Sequence, residues 1–361
     1  MPIVAEEYQF VIGVDTHAGS HTFSVIDTIT AAELDQAQFP ASAAGLARAS
    51  GWAARRTRDR PTLIAVEGVG SFGAGVARAF AAGGYRVVEA HPQSAGQRRG
   101  NGKSDALDAA RIARSVLGVA VNELRTPRAD GIRNALRILV VARESMTRER
   151  TATINALTAL VRTEELGIDA RKPLTTAQLR QICSWRARRG ETVDVAIARA
   201  EATRLARRAI DLQQQAASNS RHVLELVQTV APELLEMPGV GPVTAAIVIV
   251  SWSHPGRVRS EAAFAALAGT CPIPASSGNT SRHRLNRGGD RRLNWALHTI
   301  VMVRMGRDPQ TKEYVARRIS EGKTKREAMR CVKRYLTRQL HRTLSHSPAL
   351  ATQPKPLPLA A

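Results

Sequence analysis

Four carboxylates in the first third of the chain have the types and positions for phosphodiester chemistry. Asp15 closes one apolar run, VIGVD, and Glu67 closes a second, LIAVE. Asp105 and Asp108 stand three apart at the start of the helical pattern DALDAARIARS, which puts them on one face. Acids converging at one edge of a sheet form a hard, oxygen-rich site suited to Mg²⁺ or Mn²⁺. Two such ions about 4 Å apart activate a nucleophile and stabilise a leaving oxygen. Singly, each acid also has an ordinary explanation. Strand-end acids are common turn residues, and Asp105 after Ser104 suits a helix N-terminus. His17, two residues after Asp15, can approach the same place. The histidines show no metal-binding spacing, however, and His17, His283 and His298 read as structural or exposed.

A second group lies in CPIPASSGNTSRHRLNRGGDRR, Cys271 to Arg292. Ser276 and Ser277 precede a glycine and are followed by Arg282, Arg284, Arg287, Arg291 and Arg292. The stretch is either a solvated, hydroxyl-rich loop or a serine presented to a phosphate among guanidinium groups. Upstream, MPGVGPVTAAIV resembles a helix-hairpin-helix, two helical pieces whose turn at Gly239 and Gly241 offers backbone N–H groups to a phosphate. A tight connection between packed helices reads the same way. Downstream, KTKREAMRCVKRYLTRQLHR is a helix with basic residues on most of its circumference, among them Lys325, Arg326, Lys333 and Arg334. With Lys103 in the polar stretch before Asp105, these are the expected nucleic-acid contacts. A merely solvated face is the alternative.

The elements that must position the acids follow from the hydrophobic pattern. QFVIGVDTHAGSHTFSVIDT is two β-branched runs around a polar turn, a hairpin. A helix around 43–56, the strand PTLIAVE, a helix stopped by Gly-Gly and the strand RVVEAHP follow, then the helix bearing Asp105. A hairpin followed by alternating strands and helices predicts an α/β domain with a mixed sheet. From about 124 the apolar residues recur at helical spacing, and 191–230 contains neither Gly nor Pro, which predicts two long antiparallel helices in a hairpin or coiled coil. The rest reads as mainly helical. The expected division is 1–123, 124–230, 231–343 and a Pro-rich, disordered tail at 344–361.

Composition narrows the function. The 361 residues carry a net charge of +21, which favours polyanionic partners. Residues 1–120 are nearly neutral, 12 basic against 11 acidic, whereas 278–343 hold 18 against 5. That is the distribution of an acidic centre joined to a basic binding surface. Three scattered cysteines make neither a disulfide framework nor a metal pair, so a reducing, cytoplasmic setting is expected. The N-terminus reads as no secretory signal, and the most apolar run, VTAAIVIV, is too short to span a bilayer.

Taken in order, these motifs resemble one bacterial insertion-sequence family. It is that of the DEDD transposases with a RuvC-like domain, which act as bridge-RNA-guided recombinases. GVD at Asp15, VEGVGSFG and NGKSDALDAARIA carry the N-terminal likeness. LLEMPGVGPVTAAIVIV, FAALAGTCPIPASSG and NRGGDRRLNWALHTIVM resemble the family's second, serine-bearing transposase domain. The likeness covers nearly the whole chain except the tail. It departs at Cys271, where the family usually has a larger apolar residue. The resemblance implies an RNase-H-like (RuvC-like) first domain, a coiled-coil segment and a mainly α C-terminal domain. It implies that Asp15, Glu67, Asp105 and Asp108 bind Mg²⁺ or Mn²⁺, and that Ser277, with Ser276 beside it, is the nucleophile. Donor and target DNA, a structured noncoding guide RNA and a homodimer or tetramer are the implied partners. Competing readings are a junction-resolvase-like nuclease without serine chemistry, an actin-like sugar kinase and an RNA-binding scaffold.

Overall fold

The computed structural model describes residues 1–90, 105–128, 131–275, 283–347 and 350. The chain separates into two compact units, Met1–Arg128 and Ala129–Ala361.

The first unit is built on a five-stranded mixed sheet of order β3-β2-β1-β4-β5. Strands β1 (Phe10–Thr16) and β2 (Ser20–Asp27) form the expected antiparallel hairpin. β3 (Glu33–Pro40) extends it at the edge, a polar, proline-ended strand that hydrophobic patterning does not reveal. β4 (Thr62–Val66) and β5 (Arg86–Glu89) run parallel to β1. The short α1 (Val4–Glu7) precedes β1, α2 (Ala43–Thr57) and α3 (Ala74–Ala82) join the later strands, and α4 is Asp105–Arg114. This arrangement is consistent with an RNase-H-like domain.

Strand alternation decides what each face carries. Phe10, Ile12 and Val14 of β1, with Phe23, Ile64 and Val66, pack against Trp52 of α2 and Phe80 of α3. Val11, Leu63 and Ala65 face the other way, into a cluster with Ala110, Ile112 and Ala113 of α4. Gly13 shares that second face. A Cβ at Gly13 would stand 2.1 Å from the Ala109 carbonyl oxygen and 2.6 Å from the Ala113 nitrogen. Helix and strand therefore touch backbone to backbone, which only glycine permits.

The second unit is helical. α5 (Ile132–Thr163) and α7 (Val193–Val230) lie antiparallel, with α6 (Thr176–Cys183) at one end of the pair. At that end Leu157, Val161, Leu179, Ile182, Ala202 and Ala206 form one core. At the other, Leu136, Val140, Val223 and Val227 join α8 (Pro242–Trp252), α9 (Glu261–Leu267), α10 (Arg291–Arg307), α11 (Pro309–Ser320) and α12 (Lys325–His346) in a larger one. Between the two cores the helices are bridged by polar contacts. Arg143 reaches the Ala216 carbonyl (2.7 Å), and Arg150 reaches Gln213 (3.0 Å). A helical hairpin is what the structure establishes here; these polar contacts do not establish the apolar heptad seam of a coiled coil. The N-terminal end of α5 and the C-terminal end of α7 share their core with the C-terminal helices. α12 also continues past the boundary drawn at 343: Leu344 is fully buried, and Ser347 Oγ donates to the Val230 carbonyl (3.2 Å). Residues 351–361 lie outside the described part.

Gly13→Ala is expected to cost about 3 kcal/mol, because its contact atoms are backbone and cannot give way. Urea denaturation reads this directly; a loss below about 0.5 kcal/mol would mean that α4 is not seated as described.

Candidate functional site

β1 delivers Asp15 to the face that carries Val11 and Gly13, by the period-two alternation of the strand. β4 delivers Glu67 by the same rule, one step beyond Leu63 and Ala65. Past the strand's end the Glu67 amide still donates to the Val14 carbonyl (3.2 Å), and Thr16 Oγ1 donates to the Glu67 carbonyl (3.0 Å). α4 is pressed against this face at Gly13, and its first turn carries Asp105 and Asp108. Negative charge is favourable at a helix N-terminus, so the two acids also suit their position locally.

The tightest grouping differs from the four acids read in the sequence. His17 Nδ1 lies 3.6 Å from Asp15 Oδ2 and 3.9 Å from Asp105 Oδ2. One ligand atom from each of Asp15, His17 and Asp105 fits within a span of 4.8 Å, the one such metal-competent group among the described residues. Asp108 is instead paired with Arg111, one turn along the helix (3.1 Å). Glu67 completes the strand-end pair without joining the closest three. His17, set aside for want of a spacing motif, thus stands inside the site. Its signal in the sequence was its place two residues after Asp15, in the β1–β2 turn, which folds back over the strand end.

Electrostatics tie the four acids together. Asp15 is 9% exposed, and burial is the largest influence raising its carboxyl pKa. His17 opposes this, whereas the like charges of Asp105, Asp108 and Glu67 push it further up. Among the described residues, His17 is the nearest basic partner of this buried carboxylate. The set fits a hard divalent ion: Asp15 and Asp105 would hold it, with Asp108 and Glu67 adding negative potential.

The basic residues divide into committed and available groups. Arg284 lies on β7 (His283–Arg284), which pairs with β6 (Ile273–Pro274). Arg284, Arg287, Arg291, Lys325 and Arg326 are exposed. Arg292 is paired with Glu144 (2.6 Å). Two of the basic residues of α12 have side-chain partners within the unit. Lys333 is partly buried and donates to Asn294 Oδ1 (3.1 Å), while Arg334 is held by Glu261, which also takes Arg338 (3.3 Å). The Cys271 thiol accepts from Asn286 Nδ2 (3.0 Å), so the residue that departs from the family pattern has a polar partner here.

The proposed phosphate-binding turn is also largely used up. Instead of two helical pieces, a single 3₁₀ turn at Pro232–Leu234 precedes α8. The Gly241 amide donates to Thr244 Oγ1 (3.0 Å). Gly239, at φ +78°, backs onto α10, where a Cβ would meet the Ile300 carbonyl oxygen at 2.9 Å. The buried Arg304 of α10 seals the turn by donating to the Pro238 carbonyl (2.6 Å) and to Gln339 of α12 (3.0 Å). Gly239 therefore packs against α10, as the alternative reading has it, whereas a Cβ at Gly241 would meet nothing within 4 Å. Lys103, Ser276, Ser277 and Arg282 lie outside the described residues.

A mixed sheet with acids at the ends of two neighbouring strands and on the helix packed across them is consistent with an RNase-H-like domain. The family profile of DEDD transposases of the IS110 type matches residues 12–164, and the profile described as Transposase IS116/IS110/IS902 family matches residues 231–316. Both matched segments are thus similar to insertion-element transposases of the IS110/IS116 type. It is 33% identical over 123 residues to a 43.6 kDa protein of insertion element IS110 from Streptomyces coelicolor, covering 34% of this chain and 30% of that protein. A 42 kDa protein of insertion element IS900 from Mycobacterium paratuberculosis is 28% identical over 280 residues, 65% of this chain and 70% of that one. A 44.8 kDa protein of insertion element IS116 from Streptomyces clavuligerus is 27% identical over 121 residues, 33% of this chain and 30% of its own. Among the described residues no helix is long and apolar enough to cross a membrane.

Two outcomes follow from this geometry. Because the folded-state pKa of Asp15 is raised, its contribution to stability is present below the unfolded value of about 3.9 and lost as pH rises through the folded value. Metal-free Asp15→Asn is therefore expected to melt higher than wild type at pH 7. Mn²⁺ at a hundred times its Kd should stabilise wild type by about 2.7 kcal/mol and the variant far less. Thermal melts with chelator and with Mn²⁺ check both statements. In the second unit, Arg304→Met is expected to cost about 2–3 kcal/mol in urea denaturation, since it strands the Pro238 carbonyl.

Proposed function

We propose that this chain cleaves and rejoins DNA as the transposase of an insertion element. The observation that carries the reading is the approach of Asp105, on α4, and His17 to the buried Asp15 on a sheet of RNase-H-like order. The two profile matches add support, because both describe transposases.

Asp15, Glu67, Asp105 and Asp108 would form the electronegative site for Mg²⁺ or Mn²⁺. Such an ion offsets phosphate charge and lowers the pKa of an oxygen nucleophile. Ser277 is the proposed nucleophile. Its Oγ forms a bond to phosphorus as one phosphorus–oxygen bond of the strand breaks. The serine proton leaves to solvent or a nearby base, and the departing strand's oxygen is protonated. Attack by an incoming strand's hydroxyl reverses these steps, so the number of phosphodiester bonds is conserved and no ATP is needed. What favours Ser277 is its place before Gly278 in ASSG, together with the family likeness of that segment. Flanking it, β6 and β7 pair Ile273 with Arg284 and Pro274 with His283, which brings the two ends of the segment side by side. Donor and target DNA are the proposed substrates. A structured noncoding RNA is the proposed guide, and a dimer or tetramer the working assembly. The large positive charge suits both nucleic-acid partners.

The test incubates the protein with the noncoding RNA encoded beside its gene, donor and target DNA and Mg²⁺, then denatures it and looks for protein-linked DNA. Wild type should give an adduct that Ser277→Ala abolishes and Asp15→Asn reduces at least about a hundredfold. Loss in Ser276→Ala alone would move the nucleophile by one residue. Cleavage without any adduct would overturn the serine step in favour of metal-dependent hydrolysis.

A further inference from the structure

Near its N-terminus α7 carries a trough lined by residues between Trp185 and Arg207. Ala196, Ala200 and Thr203 form its floor, with Arg204 and Arg207 further along the same stripe. Trp185, just past α6, is one wall, and the cavity measures about 330 Å³. From Ala196 to Arg207 the stripe runs roughly 16 Å at 1.5 Å per residue. The floor is small and apolar, so a flat group can lie close to the helix.

The indole is held in place. The buried Arg199 guanidinium sits 5.0 Å from the Trp185 ring centroid and is paired with Glu191 (2.6 Å). A cation over one face, itself fixed by a carboxylate, makes the ring a firm platform. Around it the charge is one-sided: residues 184–208 contain seven arginines against three acids. Arg186, Arg188 and Arg189 are exposed on the segment that carries Trp185. Among the described residues Arg204 is paired with the exposed Glu201 alone (2.8 Å), a contact that a phosphate can replace at little cost. Arg207 forms no ion pair among the described residues.

We propose that this trough binds a short run of single-stranded DNA, with a base stacked at Trp185 and phosphates on Arg204 and Arg207. A narrow trough combining a fixed aromatic ring with guanidinium groups suits a single strand, whose bases are free to stack; a duplex keeps its bases inside. The choice of DNA rests on the reading of the chain as a transposase, whose strand exchange exposes single strands.

The experiment measures binding of the full-length protein to a fluorescein-labelled oligothymidylate of about 12 nucleotides, a length within the usual site size. Anisotropy is recorded over a range of KCl concentrations. Arg204→Gln/Arg207→Gln should weaken binding about tenfold or more. It should also lower the slope of log K against log salt by about 1.4, the value for two phosphate contacts on a single strand. Trp185→Ala should lose roughly five- to a hundredfold, and the arginine pair keeps the test valid should that variant fold poorly. Arg307→Gln/Lys312→Gln, exposed and elsewhere in the unit, should change binding less than about twofold if charge alone is not decisive. Equal losses in the two double variants, or no loss in the first, overturn the proposal while leaving DNA binding by the chain intact. Oligouridylate bound more than about tenfold tighter through the same residues would overturn it in favour of an RNA site. Wild type that binds no DNA, single-stranded or duplex, would sink both this site and the function it rests on.

Discussion

At Gly13 the backbone of β1 meets the backbone of α4 with no side chain between them. The 2.1 Å separation between a notional Cβ and the Ala109 carbonyl oxygen leaves room for nothing larger than hydrogen. Everything about the acidic site depends on that closeness. Asp15 lies two residues further along the same face of β1, and Asp105 lies one turn before Ala109 on α4. Lifting the helix by the thickness of a methyl group would part the two carboxylates and remove Asp105 from the reach of His17. The buried alanines at 109, 110 and 113 keep that side of the helix thin. The acids themselves oppose the arrangement through mutual repulsion, so packing has to hold them where electrostatics alone would not.

The second unit uses a related device for a different end. Gly239 lets a turn lie against α10, and Arg304 ties that turn to α10 and α12. Charge that looks like nucleic-acid-binding surface is partly spent on such internal ties. Lys333, Arg334 and Arg292 are committed to Asn294, Glu261 and Glu144, whereas Arg284, Arg287, Arg291, Lys325 and Arg326 remain exposed. The basic excess of the region is thus both glue and surface.

Much of the first unit was legible because strand alternation is a local signal. Val11-Gly13-Asp15 and Leu63-Ala65-Glu67 each put an acid on the apolar face one step past the core, and the order of strands and helices followed from turn residues. The edge strand Glu33–Pro40 escaped because it has no fully buried residue, only Ala37 and Phe39 packing partly on the core, and ends in proline. The role of Gly13 was hidden too, since a glycine inside a strand does not say what approaches it. His17 was passed over because its partner Asp105 is 88 residues away in sequence, and no spacing rule spans that distance. The same holds for Lys333 and Arg334, whose partners lie 39 and 73 residues away. For the long helices the pattern gave length and pairing but not the polar middle, which depends on Arg143 and Arg150 meeting carbonyl and amide groups on α7.

The most direct test of this account is a crystal of the full chain soaked in Mn²⁺ and measured at the manganese absorption edge. An anomalous peak coordinated by Asp15 and Asp105 is the predicted result, with Gly13 still in contact with Ala109. Saturating Mn²⁺ that leaves no peak between those two carboxylates would contradict the account, as would a peak bound by other residues alone.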